Sequence, residues 1–141
     1  MSIWFKPLIL EDVQHRGNDT MVQHLGIEIT ELGDNFLRGT MPVDHRTIQP
    51  MGLLHGGASV TLAETLGSIA ANLVIDPEKK YSVGLDINAN HIRSAKNGMV
   101  TGTATPLHIG SSTQVWNIEI KDEQNRLVCI SRLTMAVMDR K

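Results

Sequence analysis

Apolar and polar positions along this chain fall into two periods, helical in the middle and strand-like on either side. From Leu8 to His24 the apolar positions are sparse and are broken by Gly17-Asn18. This predicts one or two short helices, with Thr20 as an N-cap and Gly26 as a stop. Ile27 to Glu31 and Phe36 to Val43 alternate apolar with polar around Gly33-Asp34-Asn35, the pattern of a hairpin. Pro42 puts its neighbourhood at an edge or a strand end. Asp44 to Leu54 is irregular and holds Pro50 and Gly52. From about Gly57 to Ile75 the chain is apolar nearly all round, which predicts a buried helix ended by Asp76-Pro77. Period two then returns. Tyr81 to Ile92 is a predicted strand with Val83, Leu85, Ile87, Ala89 and His91 on one face and Gly84, Asp86, Asn88 and Asn90 on the other. Met99 to Leu107, Thr113 to Ile120 and Leu127 to Met138 follow as strands. Lys96-Asn97-Gly98, Ile109-Gly110-Ser111-Ser112 and Gln124-Asn125-Arg126 read as hairpin turns. Four successive strands with short turns predict an antiparallel meander.

A long apolar helix needs cover on nearly all sides, and an antiparallel sheet of five to six strands has one apolar face to hide. Curling the sheet around a central helix satisfies both, an α+β architecture. Such a helix would still be partly bare, so a second copy of the chain is expected against it. The 141 residues are read as a single domain, 1–141, with no repeat or linker. A formal net charge of -2 leaves no positive field for nucleic acid. The lone cysteine, Cys129, excludes an intrachain disulfide and a cysteine-built metal site, and the six histidines show no paired metal-ligand spacing. No phosphate loop of Walker or Rossmann type is present. The segment Met1 to Pro7 lacks the pattern of a secretory signal. The run from Ala58 to Ile75 is interrupted by Ser59, Thr61, Glu64, Thr65, Ser68 and Asn72, so it reads as a helix buried in protein rather than in a membrane. A cytoplasmic location is the expectation.

Glu64 is the one charge in that helix. A carboxylate held out of water without a partner is costly, and its proton affinity rises. That suits a general base or nucleophile in a dry pocket. The bland alternative is a Glu that reaches the surface or pairs with Arg93 or Lys96. Ser68 follows at i+4 on the same side, where its hydroxyl can orient the carboxylate or an attacking water; alone it is an ordinary helical serine. His55-Gly56-Gly57 stands at the helix start, where free N–H groups and a partial positive charge gather. Glycine there admits a ligand to the backbone, as an oxyanion site for a carbonyl requires, although turn chemistry also explains a Gly-Gly pair. Gly56 and Glu64 are separated by about 12 Å along a helix, too far to serve one carbonyl from one chain. Two antiparallel helices about a two-fold axis would bring Gly56 of one beside Glu64 of the other, so a site shared across a dimer is expected. Gln49, before Pro50, can donate to a carbonyl or hold water, though most loop glutamines do neither. His91 is either a satisfied core histidine or a substrate contact. Cys129 reads as inert packing, and Ser59 does not sit in a G-x-S-x-G elbow.

The string from Gln49 to Gly57 (QPMGLLHGG), followed by Ala63-Glu64-Thr65-Leu66-Gly67-Ser68, resembles the hotdog-fold acyl-CoA thioesterases. The likeness runs from Met21 to Met138 and takes in Met41-Pro42-Val43-Asp44, the stretch Gly84 to His91 (GLDINANH), Pro106-Leu107-His108 and Gln114-Val115-Trp116. The resemblance implies a hotdog fold and hydrolysis of aromatic acyl-CoA. Glu64 would be the catalytic carboxylate, and the Gly56 amide would polarise the thioester carbonyl. Gln49 and His55 would place carbonyl or water, and Ser68 would position the water. It also implies a CoA arm bordered by Gly84, by His91, Ile92, Arg93 and Ser94, and by His108, Ile109, Gly110, Ser111, Ser112 and Thr113. Dimers of dimers are implied, with no metal or cofactor; an acyl carrier protein is the other partner the resemblance suggests. Relatives often carry an arginine where this chain has Ser111-Ser112-Thr113, so the nucleotide loses a phosphate clamp there and Arg93 is left to compensate. Two other readings stay open: a hydratase or dehydratase of acyl thioesters, and a non-catalytic acyl-binding module.

Overall fold

The structure, a computed structural model, describes residues 1–141. A 3-10 turn at Leu10–Asp12 and a single helical turn, α1 (Met21–His24), precede the hairpin of β1 (Glu28–Leu32) and β2 (Leu37–Pro42). The long helix α2 (Gly56–Leu73) comes next, then β3 (Lys80–His91), β4 (Met99–Ile109), β5 (Thr113–Lys121) and β6 (Leu127–Asp139). Thr20 caps α1 as expected, its side chain accepting from Val22 N at 3.2 Å, and Gly26 ends that segment at φ 74°. The six strands form one antiparallel sheet in the order β1-β2-β4-β5-β6-β3. Helix α2 packs against it, contacting β2, β3, β4, β5 and β6. This is the hotdog arrangement.

The meander holds only for β4, β5 and β6. β4 is already paired on both sides, by β2 and β5, so β3 cannot join it. Instead β3 runs along β6 from Lys80↔Asp139 to His91↔Cys129 and forms an edge of the sheet. Lys96-Asn97-Gly98 is therefore the end of a crossover, not a hairpin turn. A second difference lies inside β3. A bulge between Gly84 and Asp86 shifts the alternation by one residue. Val83 and Leu85 are exposed, while Ser82 before the bulge is buried and Ile87 and Ala89 after it are half-buried.

The helix crosses the sheet where two glycines face each other, Gly39 of β2 opposite Gly102 of β4. A Cβ on Gly102 would stand 2.8 Å from Leu66 Cδ1 and one on Gly39 would stand 2.9 Å from Leu66 Cδ2. Their missing side chains let Leu66 seat fully buried, with Leu62 beside it. Each such leucine contributes roughly 1.5–3 kcal/mol of burial. Buried Trp116 donates its indole N–H to Gln114 Oε1 at 2.8 Å, and Gln114 Nε2 donates to Ala71 O at 3.2 Å. That chain of bonds satisfies the polar atoms in an otherwise apolar layer. The N-terminal residues complete the core. Trp4 is buried and donates its indole N–H to Gly33 O at 2.7 Å. Phe5 N donates to Leu73 O at 2.9 Å, closing the end of α2 two residues before the expected stop. No helix is long and apolar enough to cross a membrane.

Candidate active site

The loop before α2 is held at several points. Asp44 accepts from Arg46, and that guanidinium holds the Asp44 carboxyl down at about 2. Buried Thr47 donates its hydroxyl to Pro42 O at 2.7 Å, and His55 N donates to Thr47 O at 2.8 Å. Gln49 Oε1 accepts from Met51 N at 2.5 Å. Backbone N–H groups demand the oxygen end of that amide, so the Gln49 Nε2 end is left free to donate outward.

The start of α2 then presents one open donor. His55 is the N-cap and its Nδ1 accepts from Gly57 N at 2.8 Å. This fixes Nδ1 as the unprotonated nitrogen and uses the second amide of the helix. The Gly56 N–H donates to no group of the chain. His91, at the end of β3, lies directly against it: a Cβ on Gly56 would stand 2.7 Å from His91 Nε2. Gln49, Gly56, Ser59, His91, Arg93 and Ser94 line one cavity of about 260 Å³, with Leu53, Leu54, Ile92 and Val128 on its apolar side. His91 is exposed, which removes the reading of a satisfied core histidine.

Glu64 lies elsewhere. It is half-buried rather than sealed. Leu62, Ala63, Leu66, Ala70 and Ala71 are the fully buried apolar side chains of the helix, and Glu64 stands on a flank that faces edge strand β3. Its carboxylate Oε2 rests against Gly84, where the strand has no side chain. Neither Arg93 nor Lys96 pairs with it. Ser68, one turn on, donates its hydroxyl to Met135 Sδ at 3.7 Å rather than to Glu64. Beyond it Asn72 fastens helix to strand. Ser82 N donates to Asn72 Oδ1 at 2.9 Å, and Asn72 Nδ2 donates to Ser82 O at 3.3 Å and to Ser68 O at 3.0 Å.

The two segments expected around a CoA arm are not brought together within the chain. His91 opposes Cys129, while Thr113 opposes Ala136, which opposes Val83. The Thr113 end of the sheet is therefore about 26 Å along β3 from His91. His91, Ile92, Arg93 and Ser94 border the Gly56 cavity. The hairpin turn from His108 through Ile109, Gly110, Ser111 and Ser112 to Thr113 belongs to the same end as Gly84 and Glu64, with Ser112 O accepting from Val137 N at 2.9 Å. Cys129 is buried, and burial pushes its thiol up from the ordinary range, the state of an inert thiol. Sequence reasoning missed Asn72, Val128 and Met135. Asn72 had a signal, since it follows Ser68 by one turn on the flank of Glu64; the other two are apolar strand residues and carried none.

A model described as the thioesterase superfamily matches residues 51–129. The 1,4-dihydroxy-2-naphthoyl-CoA hydrolase of Escherichia coli is 54% identical over 96% of this chain and 99% of its own. The proofreading thioesterase EntH of Cronobacter turicensis is 52% identical over 96% and 98%. The crystal structure of a thioesterase from Haemophilus influenzae is 51% identical and superposes with a TM-score of 0.93 over 97% of this chain and 95% of that one. With a free helix-start amide, a carboxylate on the same helix and relatives of this kind over nearly its whole length, the chain belongs to the hotdog thioesterase superfamily and is a thioester hydrolase.

Proposed function

We propose that this chain acts as one domain that hydrolyses aromatic acyl-CoA thioesters in the cytosol, at sites each built by two copies of the chain. A 1,4-dihydroxy-2-naphthoyl group, as in menaquinone synthesis, is the acyl group that the name of the Escherichia coli relative favours. The observation that carries the shared site is the split described above: Gly56, Gln49 and His91 line one cavity, and Glu64 lies outside it against Gly84. A two-fold axis would set each cavity beside the partner's carboxylate. It would also join the His91–Ser94 segment of one copy to the His108–Thr113 turn of the other along the CoA arm. Dimers would pair further into tetramers.

In this reading the thioester oxygen accepts from Gly56 N–H and from Gln49 Nε2, which stabilise charge as it develops on that oxygen. The partner's Glu64 takes a proton from water as the water oxygen bonds to the carbonyl carbon. Collapse breaks the C–S bond, and the CoA thiolate leaves and is protonated. Alternatively the carboxylate bonds to carbon first and water cleaves the resulting anhydride. Single turnover in ¹⁸O-water separates the routes, because only the anhydride route can place label in Glu64.

The test is complementation. Glu64→Ala and His55→Ala proteins, each inactive, are mixed under conditions of subunit exchange. At equal amounts half the dimers are mixed with one intact site each, so activity returns to about a quarter of wild type. No return of activity, with mixed dimers seen by mass spectrometry, refutes the shared site. A second reading is release of aroyl groups from a carrier protein. It is favoured by Ser111-Ser112-Thr113 in the turn where a cation would grip a nucleotide, and by the proofreading thioesterase among the relatives. A non-catalytic acyl-binding role would require Glu64→Gln to release thiol as fast as wild type.

A further inference from the structure

Ser59 stands one turn into α2 and is 1% exposed. Its backbone N donates to His55 O at 3.2 Å, but its hydroxyl has no partner in the chain. The contrast with Thr61 is direct. Thr61 donates its hydroxyl to Gly57 O at 2.9 Å, the back-bond that a helical hydroxyl ordinarily makes. Ser59 does not make that bond. Nor is its oxygen sealed in protein: the one fully enclosed side-chain polar atom without a partner is Ser82 Oγ. Ser59 instead lines the cavity together with Gln49, Gly56 and His91. A buried hydroxyl left unpartnered is costly, so this position calls for a partner supplied from the cavity.

The helix fixes where that partner must be. Positions i and i+3 share a face, and side chains lean toward the helix start. Ser59 therefore lies on the side of Gly56, about 4.5 Å along the axis from its free N–H. An acyl group whose carbonyl is held by Gly56 N–H and whose chain runs along α2 would carry its next carbons to that depth. The apolar lining of the cavity comes from Leu53, Leu54, Ile92 and Val128, and of its two serines, Ser59 and exposed Ser94, Ser59 is the buried one. We propose that Ser59 is a specificity-determining residue. Its hydroxyl hydrogen-bonds an oxygen on the β carbon of the acyl group, either the ortho hydroxyl of an aroyl thioester or the 3-hydroxyl of an aliphatic one. The inference rests on the thioester-hydrolase site proposed above.

Two substrate pairs test it by thiol release, for wild type and Ser59→Ala: 2-hydroxybenzoyl-CoA against benzoyl-CoA, and 3-hydroxybutyryl-CoA against butyryl-CoA. The ratio of kcat/KM between the hydroxylated and plain members is the readout, since a change in packing moves both members alike. Ser59→Ala lowers that ratio about tenfold in at least one pair, the loss of one hydrogen bond in a dry site; the pair that responds says whether the oxygen is aromatic or aliphatic. Ratios unchanged in both pairs, with Ser59→Ala melting at or above the wild-type temperature, overturn the proposal and leave Ser59 as a small residue chosen for fit. No thiol release by wild type from any of the four is a different result. It overturns the CoA-thioester reading of the site, and the Ser59 assignment that rests on it falls with it.

Discussion

Replacing Gly84 with alanine separates the position of the Glu64 carboxylate from the integrity of the fold. A Cβ at Gly84 would fall well inside 3.0 Å of Glu64 Oε2, closer than real Cβ atoms come, with the Glu64 carboxyl carbon 3.6 Å away and nothing else in reach. The atom in the way is the tip of a flexible side chain, so the carboxylate yields and the strand stays. Gly84 is not among the residues at positive φ, so alanine adopts the same backbone and removes freedom from the unfolded chain. That contributes about 0.4–1 kcal/mol in favour of folding, or roughly 1–3 °C in Tm. Activity moves the other way. A displacement of about 1 Å at a reacting group costs on the order of a hundredfold, so kcat on benzoyl-CoA, followed by thiol release with a chromogenic reagent, falls by about that factor. Added to Glu64→Gln, the same substitution displaces an amide that takes no part in the proposed reaction and lowers kcat no further. A folded Gly84→Ala protein with wild-type kcat would refute the placement of the reactive carboxylate. A Tm several degrees lower would show that the strand, not the side chain, gives way.

Asn72→Ala removes three hydrogen bonds, two of them tying α2 to β3, and leaves the backbone N–H and C=O of Ser82 without partners. It should destabilise by about 2–4 kcal/mol in urea titration, and no loss in Cm would show that the clamp is dispensable. Asp44 lies at about 2 in the folded chain against an ordinary 3.8. Its contribution is therefore complete above that ordinary value and fades as pH falls toward 2. Tm should drop over that acid window in wild type and less steeply in Asp44→Asn; identical curves would remove Asp44 from the acid response. Cys129 is buried with its thiol pushed up. Native protein should give no colour with the thiol reagent and one thiol per chain after denaturation. Rapid labelling of the native state would mean that β6 opens.

How much of this was legible beforehand follows from the range of the interactions. The apolar run of α2, the Thr20 cap and the β1–β2 hairpin are local patterns, and the structure keeps each of them. The glycine at the helix start and the lone acid two turns on were also visible, because a charge in an apolar helix stands out whatever surrounds it. The bulge at Gly84 was hidden. Period two says that successive side chains take opposite faces but not where a strand slips by one, and that slip exposes Val83 and Leu85 and leaves Gly84 against Glu64.

The chain by itself determined which segments coil, which extend and which faces are greasy, since these follow from side-chain periodicity and backbone stereochemistry over a few residues. Which strand lies beside which was settled only in three dimensions. β3 reads like the next hairpin partner of β4, yet both sides of β4 are taken and β3 closes on β6 instead. That pairing puts His91 against Gly56 and Gly84 against Glu64, which gives each of two helix groups already a fixed distance apart its own neighbour on β3. Hydrogen-bonding edges are alike on every strand, and only the packing of the whole sheet around one helix chooses among them.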